Sequence, residues 1–155
     1  FSFYSAYEIR TNMVGDYEYF IIILLICIST DIGGYIFGKI FKGPKLTKIS
    51  PKKTFSGVIG GYLLSVFFLN IALSSNYFFI KPINITFNIF IFILLISTIS
   101  QLGDIIISLF KRLSKIKDTG KIIPGHGGLL DRIDGMIFAY PFSYLIFKMN
   151  IFQYF

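Results

Sequence analysis

Residues 87–110 read FNIFIFILLISTISQLGDIIISLF, an apolar run that contains one ionisable side chain, Asp104. Three further runs have the same character and cover residues 17–41, 57–80 and 135–155. Each is about 20 to 25 residues long, which is the length that an α-helix needs to cross the hydrocarbon core of a bilayer. Because lipid offers no hydrogen-bond partner to the backbone, we predict that all four runs are transmembrane helices.

The composition favours the same class of protein. Of the 155 residues, 54% are hydrophobic and 15% are charged, and the mean hydropathy is +0.71. A soluble domain has about a quarter charged residues. The sequence therefore predicts an all-α, polytopic membrane helical bundle, with a short N-terminal segment at 1–16 and one transmembrane domain at 17–155. No basic region followed by a small-residue cleavage site opens the chain, so a signal peptide is not expected there.

The positive charge is concentrated in two connections between the apolar runs. Residues 39–53 and 111–132 hold twelve of the fifteen Lys and Arg residues, and the formal net charge is +7. By the positive-inside rule both basic loops are expected on the cytoplasmic side. A diffuse basic surface would instead indicate a nucleic-acid partner, and none is expected. The single cysteine, Cys27, lies inside an apolar run, so no disulfide framework is predicted.

Asp104 belongs to a polar stripe within its apolar run. An ionisable residue in a membrane helix costs about 2.5–3.5 kcal/mol on insertion, which makes such residues candidates for function. Spacings of three and four residues place the stripe on one helix face. That face is expected to line a helix interface or a wet cavity, and simple interhelical hydrogen bonding stays open as its role. The stripe consists of Ser97, Gln101, Asp104, Ser108 and Lys111.

The first long apolar run also contains a carboxylate. Asp31 shares a helix face with Gly34, Tyr35 and Gly38. The glycines allow two backbones to approach closely, so this face is predicted to pack against a neighbouring helix. For Asp31 itself, a structural and a functional role both remain open.

The second basic loop ends in a glycine-rich turn followed by two carboxylates. The turn, at residues 124–128, reads PGHGG and can direct several backbone N–H groups at an anion. Asp131 and Asp134 follow at spacing i and i+3, at the start of the last helix. Such carboxylates can hold a hard cation such as Mg²⁺, although helix capping would explain one of them. His126 lacks the partners of a zinc site, and a role as general acid or phosphate donor stays open for it.

These pieces occur in a fixed order. The run SLFKR at 108–112 precedes KD at 117–118, PGHGGL at 124–129 and DRID at 131–134, and SPKKT lies upstream at 50–54. This order resembles the signature of the phosphatidate cytidylyltransferases (CDP-diacylglycerol synthases), and the likeness extends over about residues 20 to 145. Members of that family are usually longer, so we expect this chain to correspond to their carboxyl-terminal catalytic region.

The resemblance implies the transfer of a cytidylyl group from CTP to phosphatidate, giving CDP-diacylglycerol and pyrophosphate. It also implies Mg²⁺ as cofactor, a homodimer, and a location in the cell inner membrane. The residues that would hold the metal are Asp104, Asp131 and Asp134. Further catalytic candidates are Lys111, Arg112 and His126. The candidates for substrate binding are Ser50, Lys52, Lys53, Thr54, Lys117, Arg132, Gly127 and Gly128.

Other functions remain as alternatives. A membrane transporter or channel could use intramembrane Asp residues, but it predicts carboxylates spread across the membrane depth. Four of the five Asp residues after residue 20 lie instead at or near one face, namely Asp104, Asp118, Asp131 and Asp134. The DGxxAR start of CDP-alcohol phosphotransferases does not occur. A non-catalytic lipid-binding subunit would not need a carboxylate cluster.

Overall fold

The computed structural model describes residues 1–11, 17–47, 50, 53–75, 86–116, 119–120, 128, 130–149 and 151, with the backbone alone at 131 and 132. Its helices are α1 (Ser2–Thr11), α2 (Tyr17–Phe41), α3 (Phe55–Ser74), α4 (Phe87–Leu113), α5 (Leu130–Ile133) and α6 (Met136–Lys148). Within this described part there is no strand, and one isolated β-bridge joins Lys45 to Thr54. The predicted all-α class is therefore confirmed. Helices α2, α3 and α4 are long and apolar enough to span a bilayer, so this is a membrane protein.

Helix α3 lies earlier in the chain than the predicted span at 57–80. Thr54 caps its first turn, because the Thr54 hydroxyl accepts a hydrogen bond from the Gly57 N–H at 3.1 Å. At the other end, the hydroxyls of Ser74 and Ser75 donate to the carbonyls of Ile71 and Ala72. Ser75 has an extended backbone, and the helix ends there. Residues 76–80 lie outside the described part of the chain.

The span predicted at 17–41 coincides with α2, and the two later spans differ from the structure in length. Helix α4 continues past residue 110 to Leu113. Its last turn lies beyond the apolar run and includes Lys111 and Arg112. Helix α6 ends at Lys148 after 13 residues, short of residue 155. At 1.5 Å per residue it is about 20 Å long, less than the ~30 Å thickness of the hydrocarbon core. Within the described residues, helix α6 is thus shorter than the predicted fourth span.

The N-terminal segment contains a helix that composition did not indicate. Helix α1 packs on α6, where the Ser2 hydroxyl donates to the Ile137 carbonyl at 2.7 Å. The rings of Phe1 and Tyr4 meet the Tyr144 ring edge-on at 6.5 and 6.2 Å. Ile9 is fully buried in the apolar core. Helix α1 is therefore part of the helical bundle.

Helices α2 and α3 pack through glycines that face each other. A Cβ atom at Gly33 would collide with the Gly60 carbonyl oxygen, and one at Gly57 would lie 2.8 Å from the Gly34 carbonyl oxygen. Only residues without a side chain allow the two backbones to approach this closely. The prediction that the Gly34 face of α2 packs on a neighbouring helix is confirmed.

Helix α6 begins against the middle of α4. A Cβ atom at Gly103 would lie 2.7 Å from the Phe138 ring, and one at Gly135 would lie 3.0 Å from the Ser100 carbonyl oxygen. These two contacts hold the start of α6 beside residues 100–104 of α4. As a result, the turn that precedes α6 is placed directly beside Asp104.

Candidate active site

A cavity of about 380 Å³ opens between α2, α3, α4 and the start of α6. Helices α2 and α4, the loop before α3 and the turn before α6 contribute polar side chains to the wall, whereas α3 itself contributes Gly57 and Val58. Three carboxylates, one ammonium group and several hydroxyls face this space. Its lining consists of Thr30, Asp31, Gly34, Tyr35, Leu46, Ser50, Lys53, Thr54, Gly57, Val58, Gln101, Asp104, Ile105, Ser108 and Asp134.

The polar stripe of α4 serves both the helix interface and the cavity. Ser97 is buried in the interface, where its hydroxyl accepts a hydrogen bond from Thr30 at 2.8 Å. The Gln101 amide donates to the same Ser97 oxygen at 3.4 Å, so the Gln101 side chain is tied to the buried end of the stripe. Farther along the helix, Asp104 and Ser108 line the cavity. The predicted orientation of this helix face is thereby confirmed.

Asp104 contacts two ionisable groups from other parts of the chain. The Lys53 ammonium forms an ion pair with Asp104 Oδ2, and both side chains are partly exposed. The Asp134 carboxyl group lies beside Asp104, close enough for a hydrogen bond between the two groups when one of them is protonated. Asp134 lies in the turn between α5 and α6 and is buried, and its Oδ1 accepts a hydrogen bond from the Gly135 N–H at 3.0 Å.

The surroundings of Asp134 favour its protonated form. Burial is the largest cause that raises the pKa of Asp134 to about 7, and the hydrogen bond and negative charge of Asp104 act in the same direction. The Gly135 N–H and the positive charge of Lys111 act in the opposite direction and are weaker. The Asp104 and Asp134 carboxyl groups thus lie beside each other, and a bound cation there would favour the ionised form of Asp134.

The loop before α3 folds back and carries three polar residues to the cavity wall. The Leu46 N–H donates to the Lys53 carbonyl at 2.8 Å, and the Phe55 N–H donates to the Pro44 carbonyl at 3.0 Å. These bonds hold residues 44–46 beside residues 53–55 and close a turn next to α4. Ser50, Lys53 and Thr54 line the cavity from this turn.

Several of the residues predicted for the site therefore share one cavity, and others do not line it. Asp104, Asp134, Ser50, Lys53 and Thr54 line the cavity, and Lys111 is near enough for its charge to act on Asp134. Arg112 is exposed near the end of α4. Gly128 is buried, and a Cβ atom there would lie 2.8 Å from the Gly120 nitrogen. The predictions for Lys52, Lys117, His126 and Gly127, and for the side chains of Asp131 and Arg132, concern atoms outside the described part of the chain.

The structure adds cavity residues that the predicted site did not include. Asp31 and Tyr35 of α2 line the cavity, as does Gln101 of α4. The signal for Asp31 was present in the sequence, since a carboxylate in an apolar helix is costly without a role. Sequence alone could not decide between packing and function, because that choice depends on which helix faces Asp31.

The donor atoms of the cavity suit a hard divalent cation. In the described part of the chain, no three His, Cys, Asp or Glu side chains form a group that could hold a metal ion. Mg²⁺, however, is usually bound by one or two carboxylates and completes its shell with water and substrate phosphate oxygens. The touching carboxyl groups of Asp104 and Asp134 meet that requirement with oxygen ligands alone. Lys53 is the group that such an ion would displace from Asp104.

Comparison with known proteins agrees with this chemistry. Residues 1–150 match the model of the cytidylyltransferase family. A phosphatidate cytidylyltransferase from Rickettsia conorii is 42% identical over 146 residues, covering 88% of this chain and 60% of the relative. One from Staphylococcus aureus is 40% identical over 143 residues, covering 90% of this chain and 51% of the relative. The chain thus spans about half to three fifths of the length of these relatives. The match over residues 1–150 shows that the chain belongs to the cytidylyltransferase family.

Proposed function

We propose that this chain is a nucleotidyltransferase that moves the cytidylyl group of CTP onto phosphatidate, giving CDP-diacylglycerol and pyrophosphate in phospholipid biosynthesis. Both relatives described above carry the name phosphatidate cytidylyltransferase. The observation that carries the proposal is the meeting of Asp104, Asp134 and Lys53 at one cavity between membrane helices. Such a cavity offers both an ammonium group and a cation-binding carboxyl pair to phosphate groups.

The reaction requires charge neutralisation more than proton transfer. A phosphate oxygen of phosphatidate attacks the α-phosphorus of CTP, and the bond from that phosphorus to the β-phosphate oxygen breaks, so that pyrophosphate leaves. The attacking oxygen is already anionic, so no strong general base is needed. Positioning and electrostatic stabilisation dominate phosphoryl-type transfers. Lys53 offers its ammonium group to the phosphates inside the cavity, and Ser50 and Thr54 offer hydroxyl groups beside it.

We further propose that Mg²⁺ is the cofactor and that Asp104 and Asp134 hold it, together with Asp131 as the resemblance implies. When bound, the ion would neutralise phosphate oxygens and the departing pyrophosphate. Asp134 would lose its proton on binding, because a coordinating carboxylate must be ionised. Lys111 would support the ionised form of Asp134 through its nearby positive charge.

The lipid substrate is proposed to enter from the bilayer. Tyr35 lies in the cavity wall and is 68% exposed, and the Lys39 ammonium stands over its ring at 5.6 Å from the centroid. An aromatic ring with a cation beside it suits the boundary between acyl chains and phosphate headgroups. This arrangement supports lateral entry of phosphatidate between the helices.

Orientation and assembly are part of the same proposal. The positive-inside rule favours the basic loops on the cytoplasmic side of a cell inner membrane, where CTP is available. The resemblance to the family favours a homodimer. Helix α3 has an exposed apolar row that can meet lipid or a second copy, consisting of Phe55, Ile59, Leu63, Phe67 and Ile71. Cross-linking of single cysteines placed along this row would test the dimer.

The transporter alternative receives less support from the geometry. An ion path predicts carboxylates at successive depths, whereas Asp31, Asp104 and Asp134 all line one cavity. A Lys53 ammonium paired with Asp104 would also obstruct a cation that had to pass. Cation flux into proteoliposomes that contain the chain would favour the alternative.

Incubation of the purified chain with radiolabelled CTP, phosphatidate and Mg²⁺ in mixed micelles tests the proposal. We expect label in the lipid fraction and release of one pyrophosphate for each labelled lipid. Diacylglycerol in place of phosphatidate is the matched control and should give no labelled lipid. Absence of both labelled lipid and pyrophosphate release with phosphatidate would overturn the enzyme assignment.

A further inference from the structure

Asp31 is the cavity carboxylate that the proposed reaction does not use. It lies about ten residues before the end of α2, and Asp104 lies about nine before the end of α4. At 1.5 Å per residue, each carboxylate lies about 15 Å from the C-terminal end of its helix. Asp31 is exposed and lines the same cavity as Asp104. Within the described part of the chain, the structure gives its carboxylate no hydrogen bond or ion pair.

Lys53 lines the same cavity as both carboxylates. Its ammonium is paired with Asp104, and its charge also acts on Asp31. A lysine ammonium on a flexible four-carbon stem can exchange one carboxylate for another without backbone movement. Asp31 therefore offers a second position for the same ammonium group.

The ion pair with Asp104 conflicts with the proposed use of Asp104. Lys53 contacts Asp104 Oδ2, and a cation held between Asp104 and Asp134 would need that carboxylate. Two positive charges at one carboxylate repel each other, so a bound divalent cation is expected to release Lys53. Without another anion nearby, the released ammonium group would be most stable when hydrated outside the cavity, because a lysine ammonium is strongly hydrated.

We propose that Asp31 is a positioning residue that receives the Lys53 ammonium when a divalent cation takes over Asp104. Lys53 then stays in the cavity, where it meets the phosphate groups of the substrate beside the cation. This inference rests on the proposed function, because it assigns Asp31 a task in a site that binds phosphates. It differs from direct metal ligation, in which Asp31 would itself contact the cation.

The two roles predict different binding results for the detergent-solubilised chain. The probes are Mn²⁺ alone, followed by electron paramagnetic resonance, and pyrophosphate in saturating Mn²⁺, followed by calorimetry. We compare Asp31→Asn, Lys53→Gln and the double variant. Glu18→Gln is the matched control, because it removes the same charge from α2 about 20 Å from Asp31 by helix rise.

A positioning role gives a specific pattern. Asp31→Asn should weaken pyrophosphate binding about tenfold and leave Mn²⁺ affinity within about twofold of the unmodified chain. Lys53→Gln should weaken pyrophosphate binding to a similar extent. It should raise the affinity for Mn²⁺, because the competing ammonium group is gone. The double variant should be no weaker than Lys53→Gln, and Asp31→Glu should restore most of the pyrophosphate affinity.

Three results would overturn the proposal. A tenfold loss of Mn²⁺ affinity in Asp31→Asn would make Asp31 a metal ligand. Additive losses in the double variant would make Asp31 and Lys53 independent, and unchanged pyrophosphate binding would leave Asp31 without this role. Asp31→Ser replaces Asp31→Asn in the cycle if the asparagine variant does not fold. Because this double-mutant cycle measures binding of Mn²⁺ and pyrophosphate, its result is interpretable even if the chain forms no CDP-diacylglycerol.

Discussion

The Lys53 ammonium is ion-paired with Asp104, which connects the turn before α3 to the polar face of α4. Asp104 also lies beside the Asp134 carboxyl group in the turn before α6, so one carboxylate contacts groups from two other parts of the chain. The pair is partly exposed to the cavity and remains open to competing ions. This arrangement makes Asp104 the residue whose replacement should affect binding and turnover most.

Asp104→Asn and Asp134→Asn should each lower CTP-dependent lipid labelling at least about 100-fold. Each change removes a negative charge from the proposed cation site, and loss of one electrostatic contact to a transition state costs about 10² to 10³ in rate. Turnover is measured with radiolabelled CTP at saturating phosphatidate. Glu18→Gln serves as the control and should retain normal turnover. Normal turnover in either Asp variant would contradict the site assignment.

The meeting of Asp104 with Asp134 could be predicted from the sequence. A carboxylate in an apolar helix and another at the start of the next apolar run both need polar surroundings, and adjoining connections place them at one membrane face. The glycines of α2 likewise predicted the close packing of that helix. Both inferences depend on residue spacing and on the order of apolar and polar segments, which can be read from the sequence.

The partner of Lys53 could not be predicted in the same way. Its position depends on the turn closed by the Leu46–Lys53 and Phe55–Pro44 backbone bonds, which have no clear sequence signal. Helix α1 was missed for a related reason. Its stability comes from contacts with α6, such as that between Ser2 and Ile137, and these join residues that are far apart in the chain.

Removal of divalent metal should stop the reaction and leave the fold intact. In the proposed site, Asp104 and Asp134 act on phosphates only through a bound cation, whereas the apolar core around Phe92 and Ile93 requires none. Turnover should vanish in excess chelator and return when Mg²⁺ is restored. Circular dichroism should show unchanged helix content throughout. Full activity in chelator would contradict the proposed metal site.

Gly33→Ala should destabilise the protein by about 1–3 kcal/mol, the usual cost of overpacking. The new methyl group would collide with the Gly60 carbonyl oxygen, and backbone cannot move aside as a side chain can. Gly34→Ala is a matched control on the adjacent residue, because its methyl group would lie 3.7 Å from the Gly57 carbonyl oxygen in ordinary contact. Thermal unfolding in detergent should give a lower Tm for Gly33→Ala. Equal values for the two variants would contradict the packing described here.

Gly103→Ala should lower turnover about tenfold without removing any polar group. Its methyl group would lie 2.7 Å from the Phe138 ring and 3.2 Å from the Phe138 Cβ, so we expect α6 to shift away from α4. That shift would separate Asp134 from Asp104, and misplacement of about 1 Å can cost up to 10²-fold in rate.

A second substitution separates this geometric effect from a general loss of stability. Phe138→Ala removes the ring atoms that the methyl group would meet, so Gly103→Ala combined with Phe138→Ala should recover to within about threefold of the unmodified chain. Phe138→Ala alone should stay within about threefold of normal turnover, and Mn²⁺ affinity should fall in Gly103→Ala and recover in the double variant in parallel with turnover. A double variant as slow as Gly103→Ala would show that the spacing of α4 and α6 does not control the carboxyl pair. Recovery would show that a ring remote from the phosphates sets the distance between Asp104 and Asp134.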